Sequence, residues 1–205
     1  MDITTNPKRR HFNDLACRWD QLPGPADPWP RVARFVERAS RGQPDWILDV
    51  GCGTGILLPY LLQACPLATC VVELDFAEDM LRENARKVPD RRVARLCADA
   101  QALPFPDEHF DLVLCFGVLP HLADLKAALE ELLRVLRPSG GLAVGHLMGS
   151  AELNAFHRSF GGPVANDTLP RAESLAQVLR QLKATVVSAE ESPDWYFVEA
   201  AKALP

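Results

Sequence analysis

The sequence has no apolar run that approaches the roughly 18 residues a transmembrane helix needs, which predicts no membrane span. Its first ten residues, MDITTNPKRR, lack the apolar segment of a signal peptide. Disorder is excluded as well, because 48% of the residues are hydrophobic and 24% are charged, close to the averages of globular domains. With 205 residues, the chain suits one domain. We therefore expect a single globular, cytoplasmic protein.

Positive charge is scarce. The chain carries 22 Lys and Arg against 27 Asp and Glu, which gives a net charge of −5. Nucleic acids are bound mainly through basic surfaces that meet the phosphate backbone. The short basic runs at residues 8–10 and 82–95 are typical of solvated faces. We expect no nucleic-acid partner.

Metal-binding cysteine pairs are also lacking. The six cysteines form no C-x-x-C pair, and no histidine flanks them at zinc-finger spacing. The sequence predicts reduced, mostly buried thiols and no structural metal.

An alternation of strand-like and helix-like segments is present between residues 46 and 148. It predicts strands at residues 46–50, 69–75, 93–97, 110–116 and 142–148, and helices at residues 56–64, 78–87 and 125–136. Asp124 is expected to cap the last helix, and the turn at residues 138–141 to end it. This order predicts an α/β fold with a Rossmann-like, doubly wound, mostly parallel sheet and helices on both faces.

The pattern changes after residue 148. Helices are predicted at residues 151–159 and 171–183, on either side of a loop rich in Gly, Pro, Asn and Asp at residues 161–170. Two late strands, at residues 185–189 and 195–200, are close enough in sequence to form an antiparallel hairpin at one edge of the sheet.

The most specific motif is ILDVGCGTG at residues 47–55, in which a strand runs into three alternate glycines. Gly51, Gly53 and Gly55 let the backbone turn sharply and approach a ligand closely. A dinucleotide fingerprint would need a glycine at position 56, where this chain has Ile56. The motif therefore fits a nucleoside without a pyrophosphate, and Asp49 suits a cationic ligand better than a phosphate.

From residue 46 to about residue 142, these motifs resemble the class I S-adenosylmethionine-dependent methyltransferases, particularly the small-molecule branch that includes the ubiquinone/menaquinone-type enzymes. DVGCGTG at residues 49–55 is similar to the first family motif, and Asp75 ends the second strand, as the family's acidic residue does. CADAQALPF at residues 97–105 resembles the adenine-binding stretch, FDLV at residues 110–113 the fourth strand, and LRVLRPSGG at residues 133–141 the loop before the fifth strand.

The resemblance implies S-adenosylmethionine as the cofactor and S-adenosylhomocysteine as the product. Asp75 would bond the ribose hydroxyls, Asp99 would accept from the adenine amino group, and the Ala100 amide would meet a ring nitrogen. Glu73 stands where relatives often carry glycine and is an alternative ribose ligand. The complete implied set is Asp49, Gly51, Cys52, Gly53, Gly55, Asp75, Phe76, Met80, Asp99, Ala100, Cys115 and Phe116. Each aspartate alone could equally cap a turn or helix, but three at the ends of consecutive strands favour joint binding.

Histidines near the strand ends are the candidate catalytic groups. His121 follows the fourth strand, where the resemblance places the methyl group, and an imidazole with a pKa near 6.5 can act as a general base. His146 and His157 could converge with it on an acceptor or on a metal. A capping role is equally open for His121. For the three together, separate packing roles are favoured, because no ligand-type spacing links them.

Residues 12–20 resemble the short helix that lies across the cofactor pocket of many relatives as a lid. Phe12 and Trp19 would then close over donor and acceptor, with residues 23–30 as a Pro-rich tether. A helix packed elsewhere is the alternative. Asn154 is a further candidate for acceptor binding. These expectations divide residues 1–205 into a lid (1–40), a cofactor-binding core (46–148) and an acceptor-side insert with the last strands (149–205).

The leading functional hypothesis is an enzyme that transfers a methyl group to a small-molecule acceptor by in-line displacement. The N-terminal helix, residues 115–121 and residues 149–170 would form the acceptor pocket. The same cofactor with a protein or RNA acceptor is an alternative, which the acidic balance disfavours. A non-catalytic S-adenosylmethionine-binding module is another. The glycine spacing disfavours a nicotinamide oxidoreductase. The acceptor, the methylated atom and the oligomeric state leave no signature in the sequence.

Overall fold

A seven-stranded sheet with the order β3-β2-β1-β4-β5-β7-β6 organises the computed structural model, which describes residues 6–22 and 27–204. Strands β1 to β5 run parallel, β7 pairs antiparallel with β5, and β6 pairs antiparallel with β7. The strands are β1 Trp46–Val50, β2 Cys70–Asp75, β3 Val93–Cys97, β4 Phe110–Phe116, β5 Leu136–His146, β6 Thr185–Ser192 and β7 Trp195–Ala201. The predicted doubly wound sheet with an antiparallel edge hairpin is confirmed.

The helices are α1 Pro7–Leu15, α2 Trp29–Ala39, α3 Leu58–Ala64, α4 Glu78–Lys87, α5 Leu125–Val135, α6 Ser150–Phe160 and α7 Ala172–Gln181. Three short 3-10 helices cover Ala16–Gln21, Leu119–His121 and Gly162–Val164. Asp124 caps α5 as predicted, since its carboxylate accepts the Ala127 N–H at 3.0 Å.

Two apolar layers cover the opposite faces of the sheet. Successive residues of β4 alternate between them, so that Val113 lies in the layer under α5 and α7, while Leu114 lies in the layer under α2 and α3. This alternation places every second side chain on each face. Because both faces are buried, the central strands read as continuous apolar runs.

Strand β5 differs from the prediction, which ended α5 with a turn at residues 138–141 and began the strand at residue 142. The strand instead begins at Leu136, directly after α5, and Leu136 pairs with Phe110 of β4 before a register shift. The Ser139 N–H donates to the Lys202 carbonyl at 3.1 Å, and the Lys202 N–H donates to the Gly140 carbonyl at 2.9 Å. A partner near the end of the chain therefore keeps this segment in the sheet.

The N-terminal segment also differs from the prediction. Helix α1 begins at Pro7, after the Asn6 side chain that accepts from the Lys8 N–H at 2.9 Å. The predicted tether at residues 23–30 lies partly outside the described residues, and its last two residues start α2 instead. Helix α2 buries Val32, Phe35 and Val36 against the sheet. Helix α1 and the 3-10 helix Ala16–Gln21 instead contact α4.

Within residues 6–22 and 27–204, no helix is both long and apolar enough to cross a membrane.

Candidate active site

A cavity of about 500 Å³ lies at the carboxyl ends of β1 to β4, where the strand order reverses between β1 and β4. Doubly wound sheets form a ligand crevice at such a switch point, because the adjacent crossovers leave toward opposite faces. The N-terminal segment, the strand ends and three loops contribute its lining: Asn6, Pro7, Lys8, Val50, Gly51, Leu74, Phe76, Ala98, Asp99, Ala100, Gln101, Val118, His121, Leu122, Ala123 and Pro163.

The glycine turn after β1 forms the floor of this cavity. Gly51 has a φ of 68° and Gly53 a φ of 53°, values that side-chain-bearing residues rarely adopt. A Cβ atom on Gly51 would lie 2.3 Å from the Val118 Cγ2 atom, whereas a Cβ on Gly53 would meet nothing within 4 Å. The turn thus uses its first glycine for close packing and leaves open space above the second.

Two buried aspartates flank the turn. Both carboxylate oxygens of Asp75 accept backbone N–H bonds, from Gly53 at 2.9 Å and from Ala77 at 2.8 Å. Burial raises the pKa of Asp75 to about 6, although these donors favour the ionised form. Asp49 has an Oδ2 atom without a partner among the described residues, and burial beside Glu73 and Asp75 raises its pKa well above the ordinary value.

Glu73 is engaged away from the cavity. Its carboxylate accepts from the Asn84 Nδ2 atom at 2.6 Å, and the Asn84 Oδ1 atom accepts from the Arg95 Nε atom at 2.6 Å. Burial raises the pKa of Glu73 to about 7. Neither Glu73 nor Asp75 lines the cavity itself, but Leu74 and Phe76, the neighbours of Asp75, both do. This arrangement favours Asp75 over Glu73 as the residue nearer a ligand.

Asp99 and Ala100 lie on the cavity wall after β3. The Asp99 Oδ1 atom accepts from the Gln101 N–H at 2.9 Å and from the Gln101 Nε2 atom at 3.2 Å. The Gln101 Oε1 atom in turn accepts from the Asp124 N–H at 2.6 Å, at the start of α5. Gln101 therefore orients the Asp99 carboxylate and ties this wall to α5.

Helix α1 closes the cavity from above. The Arg9 Nε atom donates to the Phe76 carbonyl at 2.8 Å, and the Asn13 Oδ1 atom accepts from the Asp79 N–H at 3.0 Å. The Phe12 ring lies 5.9 Å from that of Phe76 and 5.1 Å from that of His121, measured between centroids. Polar bonds thus hold α1 over the strand ends, with an aromatic contact beneath it.

Three of the histidines gather beside this cover. The ring centroids of His121 and His157 are 5.2 Å apart, and His146 is close enough for both imidazoles to affect its charge. The structure therefore brings together the residues for which separate packing was favoured. Only His121 lines the cavity. No group of three or more His, Cys, Asp or Glu residues in the described ranges could hold a metal ion.

Burial lowers the pKa of His121 below its ordinary value, although Asp167 opposes the effect by a hydrogen bond and its charge. For His146, burial and the charges of His121 and His157 lower the pKa to about 3. Both imidazoles are therefore neutral at physiological pH.

The other predicted site residues lie around the cavity rather than on its wall. Cys52 is buried within the glycine turn, and Met80 packs in the same apolar cluster as Phe12 of α1. Cys115 lies in the apolar layer under α5, and the ring centroids of Phe116 and Phe35 of α2 are 4.8 Å apart. Trp19 is partly exposed beside Phe12, at a centroid distance of 5.7 Å. Burial raises the pKa values of both thiols, so neither cysteine is a nucleophile at neutral pH.

Asn154 uses its amide on the backbone of Leu169. Its Oδ1 atom accepts from the Leu169 N–H at 2.7 Å, and its Nδ2 atom donates to the Leu169 carbonyl at 3.1 Å. It therefore fixes the end of the loop at residues 161–170 and does not line the cavity.

Sequence reasoning missed Lys8 and Asp167. Lys8 lines the cavity and donates to the Asp167 Oδ1 atom at 2.5 Å. Asp167 also bonds His121, through its Oδ2 atom at 2.7 Å. The only available signal for Asp167 was its place in a polar loop, which does not tell where that loop folds.

The family model described as "Methyltransferase domain" matches residues 48–144, from β1 into β5. The predicted resemblance to the class I, S-adenosylmethionine-dependent methyltransferases is confirmed over residues 48–144, the part of the chain that holds the glycine turn and most of the cavity wall.

Two curated proteins are similar to this chain over part of their length. Demethylmenaquinone methyltransferase of Thermus thermophilus is 43% identical over 141 residues, which cover 65% of this chain and 62% of that protein. Malonyl-[acyl-carrier protein] O-methyltransferase of Halorhodospira halophila is 39% identical over 138 residues, which cover 65% of this chain and 45% of that protein. The chain thus spans less than two thirds of the length of either curated relative.

A solved S-adenosylmethionine-dependent methyltransferase of Aquifex aeolicus has the same fold, with a TM-score of 0.68 and 20% identity over 95% of this chain and 98% of that one.

Proposed function

We propose that this protein binds S-adenosylmethionine in the switch-point cavity and transfers its methyl group to a small-molecule acceptor. The observation that carries the proposal is the cavity itself, which is bounded by the glycine turn, by Asp99 and Ala100, and by the backbone on either side of Asp75. This set has the donors and acceptors that a nucleoside requires, and the closely packed turn excludes bulk water beneath it.

The residues present fit the proposed cofactor. Asp75 has used two of the roughly four acceptor positions of a carboxylate on backbone donors, which leaves capacity for ribose hydroxyls. The unpartnered Asp49 oxygen is available to the amino group of the cofactor, whose positive charge would favour the ionised carboxylate over the neutral form that burial favours. The open space above Gly53 admits a ligand to the backbone. Asp99 and the Ala100 amide would read the adenine edge.

When bound, S-adenosylmethionine supplies a methyl group on a positively charged sulfur, ready for in-line displacement. The contribution of the chain is to position the two reactants and exclude water. Helix α1 performs the second task, because its bonds to Phe76 and Asp79 hold Phe12 over the cavity. Cys52, Gly55, Met80, Cys115 and Phe116 would support the cofactor from beneath, as the family resemblance implies.

The acceptor pocket is proposed between α1, residues 115–121 and residues 149–170. His121, Leu122 and Pro163 line the cavity on this side. The two curated relatives are named for different acceptors, a demethylated menaquinone and a malonyl group on a carrier protein. We favour a small molecule, because the net charge of −5 gives no general attraction to RNA. We also propose the division of the chain into a lid, a core and an insert, and a cytoplasmic location.

Calorimetric titration with S-adenosylmethionine and S-adenosylhomocysteine tests the cofactor assignment. Saturable binding of both is expected, with no binding of NADH. Asp75→Ala should weaken the affinity about 10- to 100-fold, which corresponds to the loss of hydrogen bonds to a charged group of about 1.5–3 kcal/mol.

The matched control is Glu173→Gln, which removes an exposed ion pair with Arg180 far from the cavity and should leave the affinity unchanged. If a folded sample binds neither sulfur nucleoside, the proposed function is wrong. Binding without turnover of any acceptor would favour the non-catalytic module.

A further inference from the structure

Four residues from four parts of the chain meet beside the cavity, and we name them the His121 cluster: Lys8 of α1, His121 after β4, His157 of α6, and Asp167. Asp167 lies at its centre. Its Oδ2 atom is 2.7 Å from the His121 Nδ1 atom, its Oδ1 atom is 2.5 Å from the Lys8 Nζ atom, and its carbonyl is 2.9 Å from the His157 Nδ1 atom.

The partners of each imidazole decide where its proton lies. Burial alone would raise the pKa of Asp167, but the bonds from His121 and Lys8 hold it below the ordinary value, so the carboxylate is ionised and only accepts. The neutral His121 ring must therefore carry its proton on Nδ1, which leaves a lone pair on Nε2. Among the described residues, no hydrogen bond involves Nε2 of His121, and the residue lines the cavity.

The two neighbouring histidines differ from His121. The His146 Nδ1 atom accepts from the Met148 N–H at 3.0 Å, so its proton lies on Nε2 and the ring offers no lone pair there. His157 donates from Nδ1 to a carbonyl and is buried away from the cavity. Only His121 combines a lone pair on Nε2, a carboxylate behind the ring and a place on the cavity wall.

On the basis of the proposed function, we propose that His121 takes a proton from an acceptor with an aromatic hydroxyl group, of the phenol or hydroquinone class. Asp167 is the positioning residue that fixes the Nδ1–H tautomer of His121. A carboxylate behind an imidazole both orients the ring and stabilises the imidazolium that forms. Lys8 extends this pair to α1, because its Nζ atom also donates to the His121 carbonyl at 3.3 Å. The base is therefore aligned by the same helix that covers the cavity.

Methyl transfer by this route releases one proton. The acceptor O–H bond breaks, and its proton moves to the lone pair on Nε2 of His121. The electron pair left on the acceptor forms the bond to the methyl carbon, and the pair of the broken sulfur–carbon bond stays on sulfur as a neutral thioether. If a ring carbon is methylated, that carbon later passes its own proton to the oxygen. One proton in total leaves through the imidazole to water.

The lone pair on Nε2 of His121 indicates which chemical class of acceptor the site suits. A carboxylate acceptor is already ionised and needs no base, and its oxygens would face the Nε2 lone pair with no proton between them. A neutral hydroxyl instead donates to Nε2 with good geometry. The surrounding rings of Phe12 and Phe76 and the apolar side chains of Val118 and Leu122 favour an aromatic body for the acceptor.

The first experiment reads the tautomer directly, without an acceptor. Protein labelled with ¹⁵N-histidine and saturated with S-adenosylhomocysteine is studied by long-range ¹H–¹⁵N NMR, with His121→Gln to assign the signal. We expect the Nδ1–H tautomer for His121. Asp167→Asn should alter that tautomer or lower the midpoint of the His121 titration by about one pH unit. Glu173→Gln serves as the control and should change neither property.

The second experiment measures methyl transfer to two probes, demethylmenaquinone in its reduced, hydroxyl-bearing form and malonyl-[acyl-carrier protein]. Turnover of the first is expected, and His121→Gln should lower kcat about 10²- to 10⁴-fold while the affinity for S-adenosylhomocysteine stays unchanged. In Asp167→Asn, the acid limb of kcat/KM against pH should move to lower pH and the plateau should fall about 10-fold or more, because the base is weaker. A purely structural role for Asp167 would not move that limb.

Several outcomes would overturn the inference. They are an Nε2–H tautomer of His121 in the wild-type complex, unchanged tautomer and titration in Asp167→Asn, turnover of malonyl-[acyl-carrier protein] alone, or full activity of His121→Gln. The NMR result decides even when neither probe is methylated. If S-adenosylhomocysteine does not bind the folded protein, both the proposed function and this inference are wrong. If S-adenosylhomocysteine binds but His121 is not the base, only this inference is wrong.

Discussion

The two sides of the cavity are built in different ways. The proposed cofactor side consists of the glycine turn and the ends of β2 and β3, where each strand runs directly into a turn, and residues 47–55 hold the complete glycine motif. The proposed acceptor side consists of the start of α1, His121 and the loop at residues 161–170, and its contacts join residues far apart in the chain. The Lys8 side chain bonds Asp167, 159 positions away, and the His121 carbonyl, 113 positions away. A site made of neighbouring residues can be predicted from the sequence, whereas a site made of residues far apart in the chain is found only in the structure.

A test of the cofactor side compares its two glycines and has the largest expected effect. Gly51→Ala should lower the free energy of unfolding by about 2–5 kcal/mol, because the new methyl group would clash with Val118 and the backbone has a positive φ. Gly53→Ala should cost only about 1–2 kcal/mol, from its φ alone, but should abolish S-adenosylhomocysteine binding.

Urea denaturation and calorimetry measure these two effects. Gly42→Ala is the control, since its Cβ meets nothing within 4 Å and its φ is not positive. Equal stability losses for Gly51→Ala and Gly53→Ala would contradict the division of labour within the turn.

The acidity of Asp75 gives the second prediction. Its pKa is about 6 in the folded protein, and ribose hydroxyls would donate to the ionised form. The proton and the ligand therefore compete, so affinity for S-adenosylhomocysteine should be constant above about pH 7 and fall about tenfold for each pH unit below 6. Titrations between pH 5 and pH 8 measure this.

Asp75→Asn should bind weakly and without this acid limb, whereas Glu73→Gln should keep it. An acid limb that persists in Asp75→Asn would assign the titration to another group.

The third prediction concerns the acceptor side. Lys8→Met breaks the ion pair that joins α1 to Asp167, whose side chains are 22% and 7% exposed. If α1 must lift for exchange, the dissociation rate of S-adenosylhomocysteine should rise about two- to fivefold, as expected for a partly exposed pair of about 0.5–1 kcal/mol. Stopped-flow displacement measures the rate. Lys126→Met, which removes an exposed pair with Glu130, should leave it unchanged. Equal rates for both variants would mean that α1 does not control exchange.

The last prediction concerns the stability of the Asp49→Asn variant. Burial raises the pKa of Asp49 in the folded protein above its ordinary value. The wild-type protein therefore loses stability as the pH rises from the ordinary pKa to the raised one, above which the side chain is a buried charge. The variant should therefore unfold at higher urea at pH 8, by about 1 kcal/mol, while binding the cofactor less tightly. The gain should shrink as the pH falls below the ordinary Asp pKa of 3.8, where the folded and unfolded carboxyls are both largely protonated. A gain that does not depend on pH would exclude the charge as its cause.

Much of the fold was predictable from the sequence, and the two main misses have different causes. Strands β1, β3 and β4 and helix α4 have the predicted bounds, because short β-branched runs and amphipathic periods are local signals. Strand β5 begins six residues early, since pairing with Lys202 keeps residues 139–140 in the sheet. Helix α2 was missed beside a Pro-rich stretch, although Val32, Phe35 and Val36 have helical spacing.

The sequence by itself determined the family that residues 48–144 resemble, because the glycine turn, Asp75 at the end of β2 and Asp99 after β3 lie in contiguous motifs whose chemistry is set by local backbone geometry. The tertiary structure alone decided which of three histidines lies on the cavity wall with a carboxylate behind its ring. His121, His146 and His157 have the same intrinsic chemistry, but Asp167, the Met148 amide and the Asp167 carbonyl place their protons differently. Proton position depends on partners that only the folded chain brings within hydrogen-bond distance.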